Sequence, residues 1–357
     1  MKYTYLEAIR LAFDHALGAD DSVLLFGLGV GDVGGVFGTT TGLQAKYGES
    51  RVFDIPLSEN AVTGMALGLS LQGYRPIMIH QRSDFSFTSA EQIINQISKT
   101  KFMSNGLYNV PLVIRMIIGR GWGQGPTHAQ APHAIYSQVP GLKVLAPSSP
   151  SDGYHLMRTA VSSDEPVIFF EHRWLHYTSE EFDPQDRDVD IGSSQVVLEG
   201  SDITLISLSY GVLECLKLAR IFLEFGIKFE VVNLRFVKPL DKATILNSVT
   251  KTQQAVFWDV GHREFGVSAE VSSLLNENLF GQLKNFPLRF GLPDEPTPSS
   301  PFLAARHYVE IDHALLEINR HFEFGLSPEK LTVCRQELFP YKSVFRDQPD
   351  LGEVGPF

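Results

Sequence analysis

Apolar and polar positions fall into alternating blocks along the chain. MKYTYLEAIRLAFDHAL sets its apolar residues at helical spacing with Glu7 and Asp14 between them, which predicts an amphipathic helix. SVLLFG, a short apolar run, then opens into a stretch holding Gly27, Gly29, Gly31, Gly34, Gly35, Gly38 and Gly42. That is a strand feeding a loop with unusual backbone freedom. GLGVGD does not fit G-x-G-x-x-G, because its third glycine arrives one residue early, so the dinucleotide fingerprint is not met. Further apolar runs, RVFDIPL, RPIMIH, VPLVIRMII, LKVLAPS and PVIFFEH, alternate with helix-like ENAVTGMALGLSLQG, SAEQIINQISKTKFMSNG and SPSDGYHLMRTAVSS. The alternation predicts an α/β fold, with a mainly parallel sheet covered by helices on both faces.

The period stops at YTSEEFDPQDRDVDIGSS, an acidic stretch that reads as a linker. It restarts with DITLISLS, GVLECLKLARIFLEFG, KFEVVNLR, LDKATILNSVTKT and QAVFWDV, which predict a second, smaller α/β domain. The expected division is a first three-layer domain over 1–180, a linker over 181–195, a second three-layer domain over 196–322 and a C-terminal tail over 323–357. The tail carries four prolines and little periodicity, so it is expected to be disordered or laid across a partner.

Composition narrows the class. A chain of 357 residues at roughly 150 per domain suits two domains. With 43% hydrophobic and 20% charged residues, neither disorder nor a coiled-coil array describes it. The balance of 30 basic against 41 acidic residues, net −11, lacks the basic footprint of a nucleic-acid binder. Cys215 and Cys334 form no CxxC pair, which excludes a zinc ribbon and argues against a disulfide framework. The N-terminus has no continuous apolar signal-type region and no stretch reads as a membrane span, so a cytoplasmic location is expected.

Three polar clusters follow predicted strands, where ligands bind in α/β sheets. In IPLSEN, Glu59 stands between a strand and a helix. It is either a carboxylate facing a ligand or part of a helix start capped by Ser58 or Asn60. HQRSDF, residues 80–85, follows RPIMIH as either a pocket rim or a solvated loop. GRGWGQGPTHAQAPH, residues 119–133, holds His128 and His133 among glycines, a setting for proton transfer or for structural histidines. No HExxH, GxSxG or P-loop lysine accompanies them.

IPLSENAVTGMALGLSLQGYRPI, AEQIINQISKTKFMSNG, PGLKVLAPSSPSDG and PVIFFEH resemble the beta subunit of the thiamine-diphosphate-dependent first component of 2-oxo acid dehydrogenase complexes. SYGVLECLKLA, VVNLRFVKPLD and SVTKT resemble that family's C-terminal domain, and transketolase shares both domains. The resemblance covers about residues 1–322. It implies that Glu59 faces the distal nitrogen of the cofactor's aminopyrimidine, sharing a proton so that the exocyclic nitrogen takes the thiazolium proton. Phe85 would stack on the pyrimidine, with Leu57 and Gln81 lining the same face. His128 matches the histidine of the family's HSQ motif, here HAQ, and would serve in proton transfer or in orienting substrate.

The family's partner alpha chain carries a GDG…NN motif for diphosphate and Mg2+, and no such motif occurs here. An alpha subunit in an alpha2beta2 assembly is therefore implied, with a lipoyl acyltransferase as a further partner. A potassium ion held by backbone at Leu112, Ala160, Val161, Ser163 and Glu165 also follows from the resemblance. The chain departs from the family at Leu28 and Gly29, where GEDVG is usual, and at GQGPTH, which is closer to transketolase's DGPTH with Gln124 at the aspartate. Arg173 stands where transketolases bind substrate phosphate. Arg82, Arg120, Gln124, His133 and Arg173 are the expected substrate residues, the three arginines suiting a carboxylate or phosphate. Three functions stay open: a 2-oxo acid decarboxylase that passes on an acyl or hydroxyalkyl group, a two-chain carboligase acting on an aldehyde or sugar, and a non-catalytic scaffold.

Overall fold

The computed structural model describes residues 1–186 and 188–340. The first helix, Tyr5–Ala19, starts at Thr4, whose side chain accepts from the Glu7 N–H while Glu7 reaches back to the Thr4 N–H. This reciprocal cap satisfies two otherwise orphaned donors. From there Tyr5, Ala8, Ile9, Ala12, Phe13 and Leu17 make the buried stripe, at the spacing legible in the sequence.

Seven strands form the larger sheet, in the order Phe236–Lys238, Lys143–Leu145, Val167–His172, Val113–Ile118, Arg75–His80, Val23–Gly27 and Val52–Phe53. All neighbours are parallel except the first pair. Val113–Ile118 and Val167–His172 are buried at every position, as central parallel strands covered on both faces must be. Five strands make the second sheet, in the order Leu288–Leu292, Ala255–His262, Ile203–Ser207, Phe229–Asn233 and Gln195–Leu198, the last antiparallel to its neighbour.

The two halves interlock more than the expected division allows. Phe236–Lys238, from the second half of the chain, pairs with Lys143–Leu145 and closes the edge of the first sheet. Asn233 donates to Ser148 and Asp152 at 2.7 Å each, and Arg235 Nε reaches Asp152 at 2.7 Å. One apolar core runs continuously from Ile114 and Ile168 of the first sheet to Ile206 and Val232 of the second.

The linker is not free chain. Ser179–Glu181 pairs antiparallel with Lys2–Thr4, Phe182 is buried, and the Thr159 hydroxyl donates to the Val189 carbonyl at 2.7 Å. The tail also departs from expectation in its first part. Ser327 caps a helix over Pro328–Leu338 whose Leu331 is buried and whose Arg335 grips Asp312 at 2.6 and 2.8 Å. Leu331 is joined against the core of the second domain by Cys334 and Leu338, a stripe at helical spacing that also includes the buried Arg335. The rest of the tail, 341–357, lies outside the described residues.

An ion pair lies in the middle of the first sheet. Arg115 is the largest fully buried side chain, and its Nε and Nη2 meet Glu171 at 2.9 and 2.5 Å, while Nη1 donates to Thr39 Oγ1 at 3.0 Å. Glu171 also accepts from His176 Nε2 at 2.8 Å. Burial would raise the Glu171 carboxyl, but the Arg115 charge and the His176 bond outweigh it and hold it at about 2. Removing one partner strands the other in the core. Arg115→Met should lower stability by about 3–5 kcal/mol, the range for breaking a buried pair, read as a shift of the urea midpoint.

Candidate functional site

Three adjacent strands and the edge strand Val52–Phe53 deliver the candidate residues to one edge of the sheet. Arg75–His80, Val113–Ile118 and Val167–His172 run parallel, so their carboxyl ends emerge side by side with that of Val52–Phe53 two places along. Gln81 to Phe85, the 119–133 loop and Arg173 follow these ends directly, and Glu59 follows Val52–Phe53 after a short connection, residues 54–58. This is the crevice where open α/β sheets bind ligands.

Glu59 opens the helix Glu59–Leu71, is half-buried, and has no side-chain hydrogen-bond partner among the described residues. Ser58 makes no side-chain cap bond, while Glu59 itself lies in the first turn, where its charge also suits the positive end of the helix. Leu57 beside it is 72% exposed, an apolar surface left uncovered. Helix Glu59–Leu71 packs against the 3₁₀ helix Ser83–Ser89 that carries Phe85.

The two loops after neighbouring strands are joined by side chains. Ser83 Oγ donates to the Gln130 carbonyl at 2.9 Å, and Gln130 Nε2 donates to Asp84 Oδ1 at 2.8 Å. The Phe85 ring meets His128 edge-on with centroids 5.4 Å apart, which brings two predicted residues into contact. His128 is exposed, and its Nδ1 lies 3.0 Å from Thr127 Oγ1. Gln81 Nε2 donates to the Leu28 carbonyl at 2.8 Å and so fastens the glycine loop to the site. Gly29, at φ +79°, has no room for a Cβ, which would lie 2.9 Å from Gln81 Nε2.

The arginines separate into different environments. Arg120 is met by Glu310 at 3.4 Å and lies over Trp174 and Tyr308 at 4.2 and 4.4 Å from their centroids. Arg82 is buried and donates through Nη2 to Gln124 Oε1. Burial first, then the charge of Arg173, pulls Arg82 down to about 10, with Asp84 acting the other way. Arg173 lies between Phe37 and Trp122, at 4.9 and 4.3 Å.

Phe37 and Trp122 escaped the reading of the sequence as site residues. Both take left-handed backbone, φ 49° and 59°, which is costly for aromatic residues and held by their surroundings. An aromatic residue inside a glycine-rich loop was the available signal. Ser299, from the second half, was equally unforeseen and touches the same loop: a Cβ on Gly125, at φ +71°, would lie 2.2 Å from its hydroxyl.

Two expectations need correction. His133 is 1% exposed and binds Asp259 of the second domain through Nε2 at 2.8 Å, so it joins the halves and faces no open pocket among the described residues. A histidine at a loop end gives no sign in sequence of the distant carboxylate that claims it. The five potassium positions do not form an open carbonyl cage either. Arg75 Nη1 donates to the carbonyls of Val161 and Ser163 at 3.1 Å each, and Lys143 and Lys101 engage the Glu165 carboxylate at 2.7 and 3.0 Å. The remaining carbonyls, of Leu112, Ala160 and Glu165, accept from Val167 N–H, Ser163 N–H and the Ser163 hydroxyl.

Comparison with known proteins defines the class of this architecture. The transketolase pyrimidine-binding domain family matches residues 1–177, and the transketolase C-terminal domain family matches residues 192–313. A solved split-gene transketolase, an inactive beta4 tetramer, superposes with a TM-score of 0.69 at 21% identity, covering 95% of this chain and 99% of that one, so the fold is shared. The chain belongs to the beta-subunit family of the thiamine-diphosphate-dependent first component of 2-oxo acid dehydrogenase complexes. The pyruvate dehydrogenase E1 component subunit beta of Staphylococcus epidermidis is 41% identical over 275 residues, covering 77% of this chain and 85% of that protein. That of Leifsonia xyli is 35% identical over 319 residues, covering 89% and 94%.

His80, at the strand end beside Gln81, is buried, and desolvation lowers its imidazole to about 4 from an ordinary 6.5. A neutral His80 therefore contributes stability that is fully present above pH 6.5 and is lost as pH falls through 4, about 3 kcal/mol in all. Burial also lowers His172 and His176, which add to the slope with the same sign. In urea unfolding at a series of pH values across this window, His80→Gln should flatten the dependence; an unchanged slope would show that His80 is not kept neutral.

Proposed function

We propose that this chain is the beta subunit of a two-chain thiamine-diphosphate enzyme that decarboxylates a 2-oxo acid and transfers the resulting acyl or hydroxyalkyl group. The observation that carries the reading is the gathering of Glu59, Gln81, Phe85 and His128 at one sheet edge in a chain of this family. The side chains suit the cofactor's pyrimidine. A carboxylate without a protein partner, an aromatic face and an uncovered leucine fit a flat heteroaromatic ring with one protonable nitrogen. When bound, thiamine diphosphate supplies the electron sink that a 2-oxo acid needs to lose carbon dioxide.

This chain's own residues hold and move protons around that ring. Glu59, at the helix start, accepts and returns a proton at the ring nitrogen, general acid–base work for a carboxylate that no protein donor engages. Phe85 supplies a stacking face and in turn holds the His128 ring edge-on. His128, exposed at the mouth, is placed to pass a proton to or from the reacting substrate.

Diphosphate and Mg2+ binding are assigned to an alpha chain with the GDG…NN motif. The relatives' names, subunit beta of an E1 component, support such a partner, and those relatives act in pyruvate dehydrogenase. Transfer to a lipoyl carrier follows from the same reading. A carboligase acting on an anionic aldehyde is the second reading, favoured by Arg173 held between Phe37 and Trp122.

Two measurements test the proposal. Calorimetry with Mg2+ and thiamine diphosphate should show no useful binding to the chain alone and binding after the alpha chain is added. Micromolar binding by the isolated chain would sink the split site. In the assembled enzyme, Glu59→Gln should slow exchange of the thiazolium proton in deuterium oxide by about two orders of magnitude while the protein stays folded, the scale of a general acid–base contribution. A wild-type exchange rate would remove Glu59 from that role.

A further inference from the structure

Arg82 is 3% exposed, yet no Asp or Glu lies within ion-pair distance of it among the described residues. Its Nη2 is engaged by a neutral amide, Gln124, and its Nη1 is buried with no hydrogen-bond partner. A guanidinium taken out of water without a counter-ion is strongly disfavoured, so buried charges are normally paired. Every other arginine near the site has found compensation: Arg115 has Glu171, Arg120 has Glu310, and Arg173 is clamped by two aromatic faces. Asp84, the acid that acts on Arg82, accepts from Gln130 through Oδ1 while its Oδ2 is buried without a partner, lies outside ion-pair distance of Arg82, and is weakened as an acid by burial. Arg173 adds its own positive charge to the neighbourhood.

We propose that Arg82, with Arg173 beside it and Gln124 as a neutral placeholder, is a specificity-determining site for an oxyanion, carboxylate or phosphate, that the substrate keeps through the reaction. This rests on the decarboxylase reading for one step. The carboxylate that leaves as carbon dioxide loses its charge in the transition state, so a buried arginine holding that group would stabilise the ground state more and slow the reaction. Arg82 therefore suits a second anionic group. It belongs either to the donor, as the far carboxylate of a dicarboxylic 2-oxo acid, or to the acceptor, as a carboxylate or phosphate. Gln124 yields its bond to Arg82 when the anion enters, and a bidentate charge-assisted contact replaces it.

The site is tested first on the full chain alone, which requires neither cofactor nor alpha chain. Titration with inorganic phosphate and with succinate at constant ionic strength, followed by the fluorescence of Trp122 and its neighbours, should saturate. Arg82→Gln should weaken binding about ten- to a hundred-fold, the loss expected for a charge-assisted hydrogen bond in a desolvated site. Gln124→Glu supplies an internal carboxylate and should abolish phosphate binding while raising the melting temperature, so a folding defect in Arg82→Gln leaves the test intact. Binding that does not saturate, or that survives Gln124→Glu unchanged, overturns the site. In the assembled enzyme, Arg82→Gln should raise KM for one substrate: a rise for 2-oxoglutarate over pyruvate assigns the anion to the donor, and a rise for a phosphorylated aldehyde assigns it to the acceptor. If Arg82→Gln instead weakens only assembly with the alpha chain, a partner carboxylate is its counter-ion and the proposal fails. Thiazolium exchange should stay at the wild-type rate in Arg82→Gln, which separates failure of this site from failure of the cofactor reading.

Discussion

A charged pair in the centre of a parallel sheet constrains everything built on that sheet's edge. Arg115 and Glu171 sit on adjacent central strands, and both are fully buried. Neither can be left alone, so the register of the two strands and the positions of the loops leaving them are linked. Thr39 takes the third arm of Arg115 and draws in the glycine loop, while His176 takes the remaining side of Glu171 and sets the turn after Arg173. Three loops are thus tied to one interaction beneath the site. A hydrophobic pair of the same volume would pack there but would not dictate which loops meet.

Above this base, residues are divided by whether the protein satisfies them. Ser83, Asp84 and Gln130 hold the loops to one another, and Gln81 holds the glycine loop. Glu59, Leu57 and Arg82 are left with unmet carboxylate, apolar surface and charge respectively. Unmet groups cost stability, and several of them, Arg82 Nη1, Asp84 Oδ2 and the exposed Leu57 among them, lie at this strand edge. Two of the eight non-glycine residues with left-handed backbone among the described residues, Phe37 and Trp122, flank Arg173.

The two domains contribute to each other's structure rather than merely touching. A strand from the second half edges the first sheet, His133 reaches Asp259, and Ser299 fills the space left by Gly125. The histidine loop is thereby held from both sides. Its placement depends on both domains being folded: Gly123 and Gly125 pass close to Ser299 of the second domain and Gly119 close to His172 of the first.

Local periodicity determined the layers. Strands buried on both faces show as unbroken apolar runs, amphipathic helices show their period, and polar residues just past a strand lie where α/β sheets bind ligands; for those reasons the parallel sheet, the second smaller domain and the clusters holding Glu59, residues 80–85 and His128 were legible, while the roles of these residues came only from the resemblance. Tertiary structure alone decided what depends on distant partners. It gave His133 to Asp259, gave the potassium positions to Arg75, Lys101 and Lys143, placed the strand Phe236–Lys238 on the other domain's sheet, and packed Pro328–Leu338 onto the core. Most decisively, it distinguished arginines that composition leaves alike. Whether a charge is compensated depends on which groups lie within a few ångströms, and residues such as Arg120 and Glu310, 190 positions apart, are brought that close only by folding.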